Sequence, residues 1–288
     1  MSAVLNTNTA SLWAAKNLLG AQNKLAASVE RLSSGLRINR ARDDAAGLGV
    51  ANSLTAQING ANQGMRNLND AISMVQTAEG AIAAASEMGQ RILMLATQGA
   101  NGTLGNTEKL AIKEEMSQLL SSIDSIAGRT KFSGNALLSA TASLTSTLYS
   151  MQISNDANDK VELKGTAFQL IGTAASGQAN DLGAKVTALG ATPTTALFQD
   201  VQTAANTYVV NLGTQRSLLG AYQNQMEYTL ANITELSSNL SSARSRVIDT
   251  DYASETAALT RGQILQQAAT AMLAQANQMP NVILTLLK

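Results

Sequence analysis

The chain has 288 residues, enough for one large domain or two smaller ones, and its 20 Lys and Arg cancel its 20 Asp and Glu. A neutral chain lacks the basic excess that phosphate-backbone binding requires, so no nucleic acid partner is expected. Cysteine and histidine are both absent, which removes disulfides, thiolate nucleophiles, Cys/His zinc sites and histidine triads, and no cofactor site is read anywhere.

Apolar residues make up 45% of the chain but aromatics only 3%, a balance that favours long thin seams between helices over a thick core. No stretch approaches the ~20 apolar residues of a bilayer-crossing helix, so membrane insertion is not expected. The N-terminus lacks the basic and apolar regions of a secretory signal peptide, and the mature chain is expected to start near Met1.

The first predicted helix runs from about Ala3 to Ser34. Leu5, Leu12 and Leu19 stand one heptad apart, as do Leu18, Leu25 and Leu32, with polar residues on much of the opposite face. Gly35 is placed to stop it. The segment GLRINRARDDAAG that follows breaks the seam and reads as a connector.

A second helix carries Leu54, Ile58, Ala61, Met65, Leu68, Ile72 and Val75 at alternating spacings of four and three. Ala78, Ile82, Ala85, Ile92 and Leu95 continue it. GANGTLGN ends that helix, and Asn106 or Thr107 is the expected cap of a third, with Ile112, Met116, Leu119, Ile123 and Ile126 in the same rhythm and Gly128 closing it. From Ser139 to Thr195 the rhythm is lost. LYSMQIS and KVELKG read as strands joined by a turn over NDANDK.

Helix resumes after Pro193, with Leu212, Leu219, Met226, Ile233, Leu240 and Val247 at seven-residue intervals. IDTDYASE interrupts it, its acidic residues suiting a helix start. The last helix carries Leu265, Ala269, Met272, Ala276, Met279, Ile283 and Leu286, and Pro280 is expected to kink it.

The expected fold is mainly α: a long coiled-coil-like helix bundle with paired terminal helices and a small β-rich insert. Residues 1–34 with 254–288 form one layer, 54–138 with 196–243 a second, 35–53 and 244–253 are connectors, and 139–195 is the insert. The seam residues are Leu5, Leu12, Leu19, Leu25, Leu32, Leu265, Met272, Met279, Ile283 and Leu286. A pair of Ala-rich helices is thin, so the ends are expected to be poorly ordered in the dilute monomer and to fold against other copies.

Several motifs have plainer explanations. Gly47-Leu48-Gly49 lacks the strand and spacing of a phosphate loop and reads as small-residue packing. The charges Arg37, Arg40, Arg42, Asp43, Asp44, Asp249 and Asp251 are expected to cap helices or to join the two connectors, and nothing in their spacing singles out a catalytic carboxylate pair. Asn101-Gly-Thr, Asn232-Ile-Thr and Asn239-Leu-Ser match a short glycosylation pattern that chance also produces. Trp13, a lone aromatic on a helix, reads as an interface residue. An enzyme is not expected.

The segment Gly35 to Asn52, GLRINRARDDAAGLGVAN, resembles the N-terminal signature of bacterial flagellins. RSRVIDTDYASETAALT (Arg244 to Thr260) and RGQILQQAATAMLAQANQMPNVILTLLK (Arg261 to Lys288) resemble the C-terminal region, and TKFSGNALL (Thr130 to Leu138) does so less closely. The resemblance implies a structural subunit exported through the flagellar type III channel and polymerised outside the cell as a filament for motility. It implies terminal helices in the inner tube, long helices in the next shell, and the large outer domains absent. It further implies as partners other copies of the chain, an export chaperone on the C-terminal helix, and filament cap and junction proteins.

In many flagellins the stretch aligned with Gln90-Arg91-Ile92 continues Arg-Glu-Leu and is bound by a Toll-like receptor. Here Gln90, Arg91, Leu95 and Glu115 match that site, but Leu93 and Met94 replace two charged residues, which implies reduced affinity. Two alternatives are a hook–filament junction protein, disfavoured by the intact motifs, and a membrane-active amphipathic protein, disfavoured by a C-terminal helix nearly free of Lys and Arg.

Overall fold

The computed structural model describes residues 7–138, 147–164 and 182–286, with no side chain described at 147, 148 or 279–286. Leu5 and two stretches of the 139–195 insert, 139–146 and 165–181, therefore lie outside the described residues, as do the side chains of Met279, Ile283 and Leu286. Among the described residues six helices and four short strands follow in order: α1 (Thr9–Ser34), α2 (Ala45–Gly99), α3 (Asn106–Arg129), β1 (Lys131–Phe132), β2 (Asn135–Ala136), β3 (Thr147–Gln152), β4 (Lys160–Lys164), α4 (Leu182–Ala188), α5 (Thr195–Ile248) and α6 (Tyr252–Leu286). The fold is mainly α, as the heptad spacing requires. The described chain divides into two compact units, Met1–Ala56 with Asn239–Lys288, and Gln57–Ser238.

Within Gln57–Ser238, α2 and α5 run antiparallel. Gly99 lies against the Phe198 ring and Gly89 against the Tyr208 ring. Further along, Arg216 pairs with Glu79 at 3.6 Å, and the Ser237 hydroxyl donates to Asn62 Oδ1 at 3.2 Å. Positions of the α2 seam are buried from Ile58 to Leu95, and the α5 heptad is buried at Leu212, Leu219, Met226 and Ile233. Ile112, Met116, Leu120 and Ile123 of α3 complete this core. Here Leu120, rather than the expected Leu119, takes the buried position.

Two polar groups are held inside. The Tyr208 hydroxyl and Gln215 Oε1 have no hydrogen-bond partner among the described residues. Burial first, and the Asp124 charge second, push the ionisation of Tyr208 well above its ordinary value.

The expected strands pair as an antiparallel hairpin, Met151 opposite Val161 and Tyr149 opposite Leu163. On β4 alternate residues Val161 and Leu163 are buried, as one covered face demands. The hairpin turn sits on α2. Asn67 Nδ2 donates to the Gln152 carbonyl at 2.8 Å, and a Cβ on Gly64 would overlap the Ile153 carbonyl oxygen. The Gly64→Ala variant must lift the turn off the helix. We expect it to lose on the order of 1–3 kcal/mol in chemical denaturation, well beyond an exposed Gly→Ala change elsewhere on the helix such as Gly80→Ala.

Several element boundaries differ from the expectation. Helix α2 begins at Ala45, nine residues before Leu54, so only 35–44 is non-helical there. Asp44 caps it, Oδ1 accepting from the Gly47 amide at 2.8 Å, and Gly47 sits where a Cβ would meet first the Asp44 carboxylate and then Ile38. Helix α5 continues through Ile248, leaving a break of three residues where 244–253 was expected. Helix α3 starts after Gly105, which offers no side-chain cap, and passes Gly128 to end at Arg129. Pro280 lies inside α6, which extends to Leu286, in keeping with its place within the seam pattern.

Candidate self-association surface

The unit made of Met1–Ala56 and Asn239–Lys288 is built around the pairing of α1 with α6. Asn8 caps α1, its Oδ1 accepting from the Ser11 amide at 3.1 Å, and its Nδ2 reaches across to the Ala276 carbonyl at 2.7 Å. The Ser11 hydroxyl donates to Asn277 Oδ1 at 2.9 Å. Further along the pair, Arg31 meets Glu255 at 3.7 Å. At the end of α1, Gly35 takes the left-handed conformation (φ 71°) that ends a helix, with the Tyr252 hydroxyl 3.2 Å from where a Cβ would sit.

The connectors meet through backbone. Leu36 and Asp249 form an antiparallel bridge, the Arg37 amide donates to the Ile248 carbonyl at 2.6 Å, and the Thr250 amide donates to the Gly35 carbonyl at 2.9 Å. Arg37 also crosses with its side chain, Nη2 donating to the Val247 carbonyl.

The other connector charges act locally. Asp43 Oδ2 accepts from the Arg40 amide at 3.0 Å, Arg42 approaches Asp43 at 3.8 Å, and Arg40 pairs with Glu30 at 2.6 Å. Asp251 caps α6, accepting from the Ala253 amide at 2.9 Å. Thus the structure brings no arginine of one connector onto an aspartate of the other. Each aspartate carboxylate that makes a hydrogen bond does so with amides of its own turn, where a short acidic side chain is geometrically favoured.

What α1 and α6 bury against each other is small. Ala14, Ala21, Ser28 and Ala276 are the buried side chains of the pair among the described residues, and Gly262 packs against Leu25. Leu25 and Leu32 are half-buried. The large residues face away. Leu12 is 62% exposed, Leu19 61%, Leu265 47% and Met272 63%, beside equally open Trp13, Val29 and Ile264.

Trp13, Leu265 and Met272 line an open groove of about 880 Å³ floored by alanines. Lys16 stands 5.4 Å above the Trp13 ring at its edge. Val29 and Ile264 lie off the heptad positions. Their signal was available, since both neighbour a counted seam position and widen the stripe beyond it.

The four residues matched to the receptor site do not share a surface. Gln90, Arg91 and Glu115 are exposed, with Arg91 bound to Glu115 through Nη2 at 2.7 Å and Nε at 3.0 Å. Leu95 is 2% exposed and belongs to the core of the central bundle, so it is removed from any contact surface. Its place in the four-three seam of α2 already carried that information.

Residues 5–143 match the bacterial flagellin N-terminal helical region, and residues 202–287 match the bacterial flagellin C-terminal helical region. The flagellin of Halalkalibacterium halodurans is 38% identical over 287 residues, covering 99% of this chain and 100% of that one. The chain belongs to the bacterial flagellin family.

The flagellin of Bacillus subtilis is 36% identical over 309 residues, covering 99% of each chain. The crystal structure of Bacillus cereus flagellin aligns at a TM-score of 0.45 and 29% identity, covering 62% of this chain and 94% of that one. As a flagellin, the chain is a structural subunit that polymerises into the bacterial flagellar filament. Such filaments are extracellular. Among the described residues no helix is long and apolar enough to cross a membrane, and no cluster of acidic residues is placed to hold a metal ion.

Proposed function

We propose that filament growth proceeds by covering the outward face of the α1–α6 pair with the same helices of neighbouring flagellin subunits. The supporting observation is the inversion just described. The pair spends alanines and a serine on its internal contact and leaves Leu12, Trp13, Leu19, Ile264, Leu265 and Met272 in water. Contiguous apolar surface of this kind is costly to leave open and marks an association site. Leu5, Met279, Ile283 and Leu286 extend the same seam by their spacing.

In this reading residues 1–34 with 254–288 form the inner tube, and 54–138 with 196–243 form the next shell. A chaperone of the export apparatus covers the α6 face before secretion, and the filament cap and junction proteins engage the same helices at the two ends of the filament. A Toll-like receptor has Gln90, Arg91 and Glu115 available but finds Leu93 and Met94 beside them, and so binds with reduced affinity. Electron microscopy of purified protein, concentrated with filament fragments as seeds, tests the self-assembly. Filaments extending from the seeds are expected; an unchanged seed length at concentrations where the protein stays folded contradicts it.

A further inference from the structure

The sequence contains two Asn-Gly pairs, and the structure places them in opposite environments. Asn59-Gly60 lies in the interior of α2, where the Gly60 amide is engaged in the helix ladder. Asn101-Gly102 lies in the turn between α2 and α3, outside both helices and exposed.

There the Thr103 amide donates to Asn101 Oδ1 at 3.1 Å, closing a turn around the side-chain amide. Among the described residues the Gly102 amide makes no hydrogen bond, and a Cβ on Gly102 would meet nothing within 4 Å.

We propose that this turn is a site of spontaneous covalent modification, at which the Asn101 side-chain amide converts to a mixture of aspartate and isoaspartate. Hydroxide removes the proton of the Gly102 amide, and that nitrogen attacks Asn101 Cγ. The N–Cγ bond forms, the Cγ–Nδ2 bond breaks, and ammonia leaves, giving a five-membered succinimide. Water then opens either ring carbonyl, so no oxidant and no enzyme is required.

Three features favour the reaction here. The Thr103 hydrogen bond draws electrons from the Cγ carbonyl and stabilises the negative charge that develops on Oδ1. Glycine leaves the attacking nitrogen unhindered. The turn also lacks the intrahelical bonds that would have to break before the chain could fold back on itself. At Asn59 those bonds are present, so attack there must wait for α2 to open.

Each event adds one negative charge to a chain whose formal net charge is zero. It does so just past the C-terminal end of α2, where the helix dipole disfavours an anion. The isoaspartate product also lengthens the main chain of the turn by one methylene.

The test incubates the full-length protein at neutral and mildly alkaline pH and maps tryptic peptides by mass spectrometry, with isoaspartyl methyltransferase labelling as a second readout. The Ile92–Lys109 peptide is expected to convert, faster at the higher pH, at least about tenfold faster than the Asp43–Arg66 peptide that contains Asn59. In denaturant the two rates should converge. Gly102→Ala, which the open space tolerates, should abolish most of the conversion in the folded chain. Equal rates in the folded protein, conversion localised away from Asn101, or no conversion of folded protein under conditions where the denatured chain reacts at both pairs would overturn the assignment.

Discussion

Met272→Asp is expected to stop filament growth while leaving the monomer's helix content unchanged. In the isolated chain Met272 is 63% exposed in the α1–α6 groove, so an aspartate there stays hydrated and disturbs no buried contact. If sibling subunits cover that position in the filament, as proposed, an unpaired carboxylate there is taken out of water at a cost of several kcal/mol after relaxation. Subunit addition should weaken by on the order of a hundredfold or more, because each ~1.4 kcal/mol is a factor of ten. Sedimentation of polymer against total concentration, with far-ultraviolet circular dichroism of the monomer, measures both halves. Met272→Leu should behave as wild type, since it keeps the volume and apolar character of the side chain.

Phe198→Ala should have the opposite signature. Phe198 is fully buried where α2 ends, its ring against Gly99, within the core of Gln57–Ser238. Truncation removes the ring's burial and leaves a cavity that a glycine on the facing helix cannot fill, at a cost of about 3–5 kcal/mol. Urea denaturation of the dilute monomer should show the loss directly. A loss below about 1 kcal/mol would mean that the α2–α5 packing closes over the vacated site.

The central bundle was legible because its core uses large residues at helical spacing. The α2 seam from Ile58 to Leu95 and the α5 heptad from Leu212 to Ile233 are buried at positions that a count of fours and threes picks out. The α1–α6 pair was legible in a different sense. Spacing found Leu12, Leu19, Leu265 and Met272, but it could not say that these turn outward while Ala14, Ala21 and Ala276 make the contact, because alanine appears on every face of both helices.

Boundaries failed where local chemistry overrode the rhythm. Asp44 caps α2 ahead of the first large seam residue, and Gly47 and Gly49 continue as helix although glycine has low helix propensity. A side chain at Gly47 would run into the Asp44 carboxylate that caps the helix and into Ile38. The connector contact was beyond spacing altogether. It rests on backbone amides and carbonyls of residues 35–37 and 248–250, which every sequence carries, with Arg37 adding one side-chain bond.

Hydrogen exchange read peptide by peptide, on dilute monomer and on assembled filament, tests the central claim most directly. If the outward face of α1 and α6 is completed by sibling subunits, amides of Thr9–Ser34 and Tyr252–Leu286 should exchange quickly in the monomer and slow by orders of magnitude on assembly. Peptides from the α2–α5 core should be protected in both states. Terminal helices already as slow in the dilute monomer as in the filament would contradict the account.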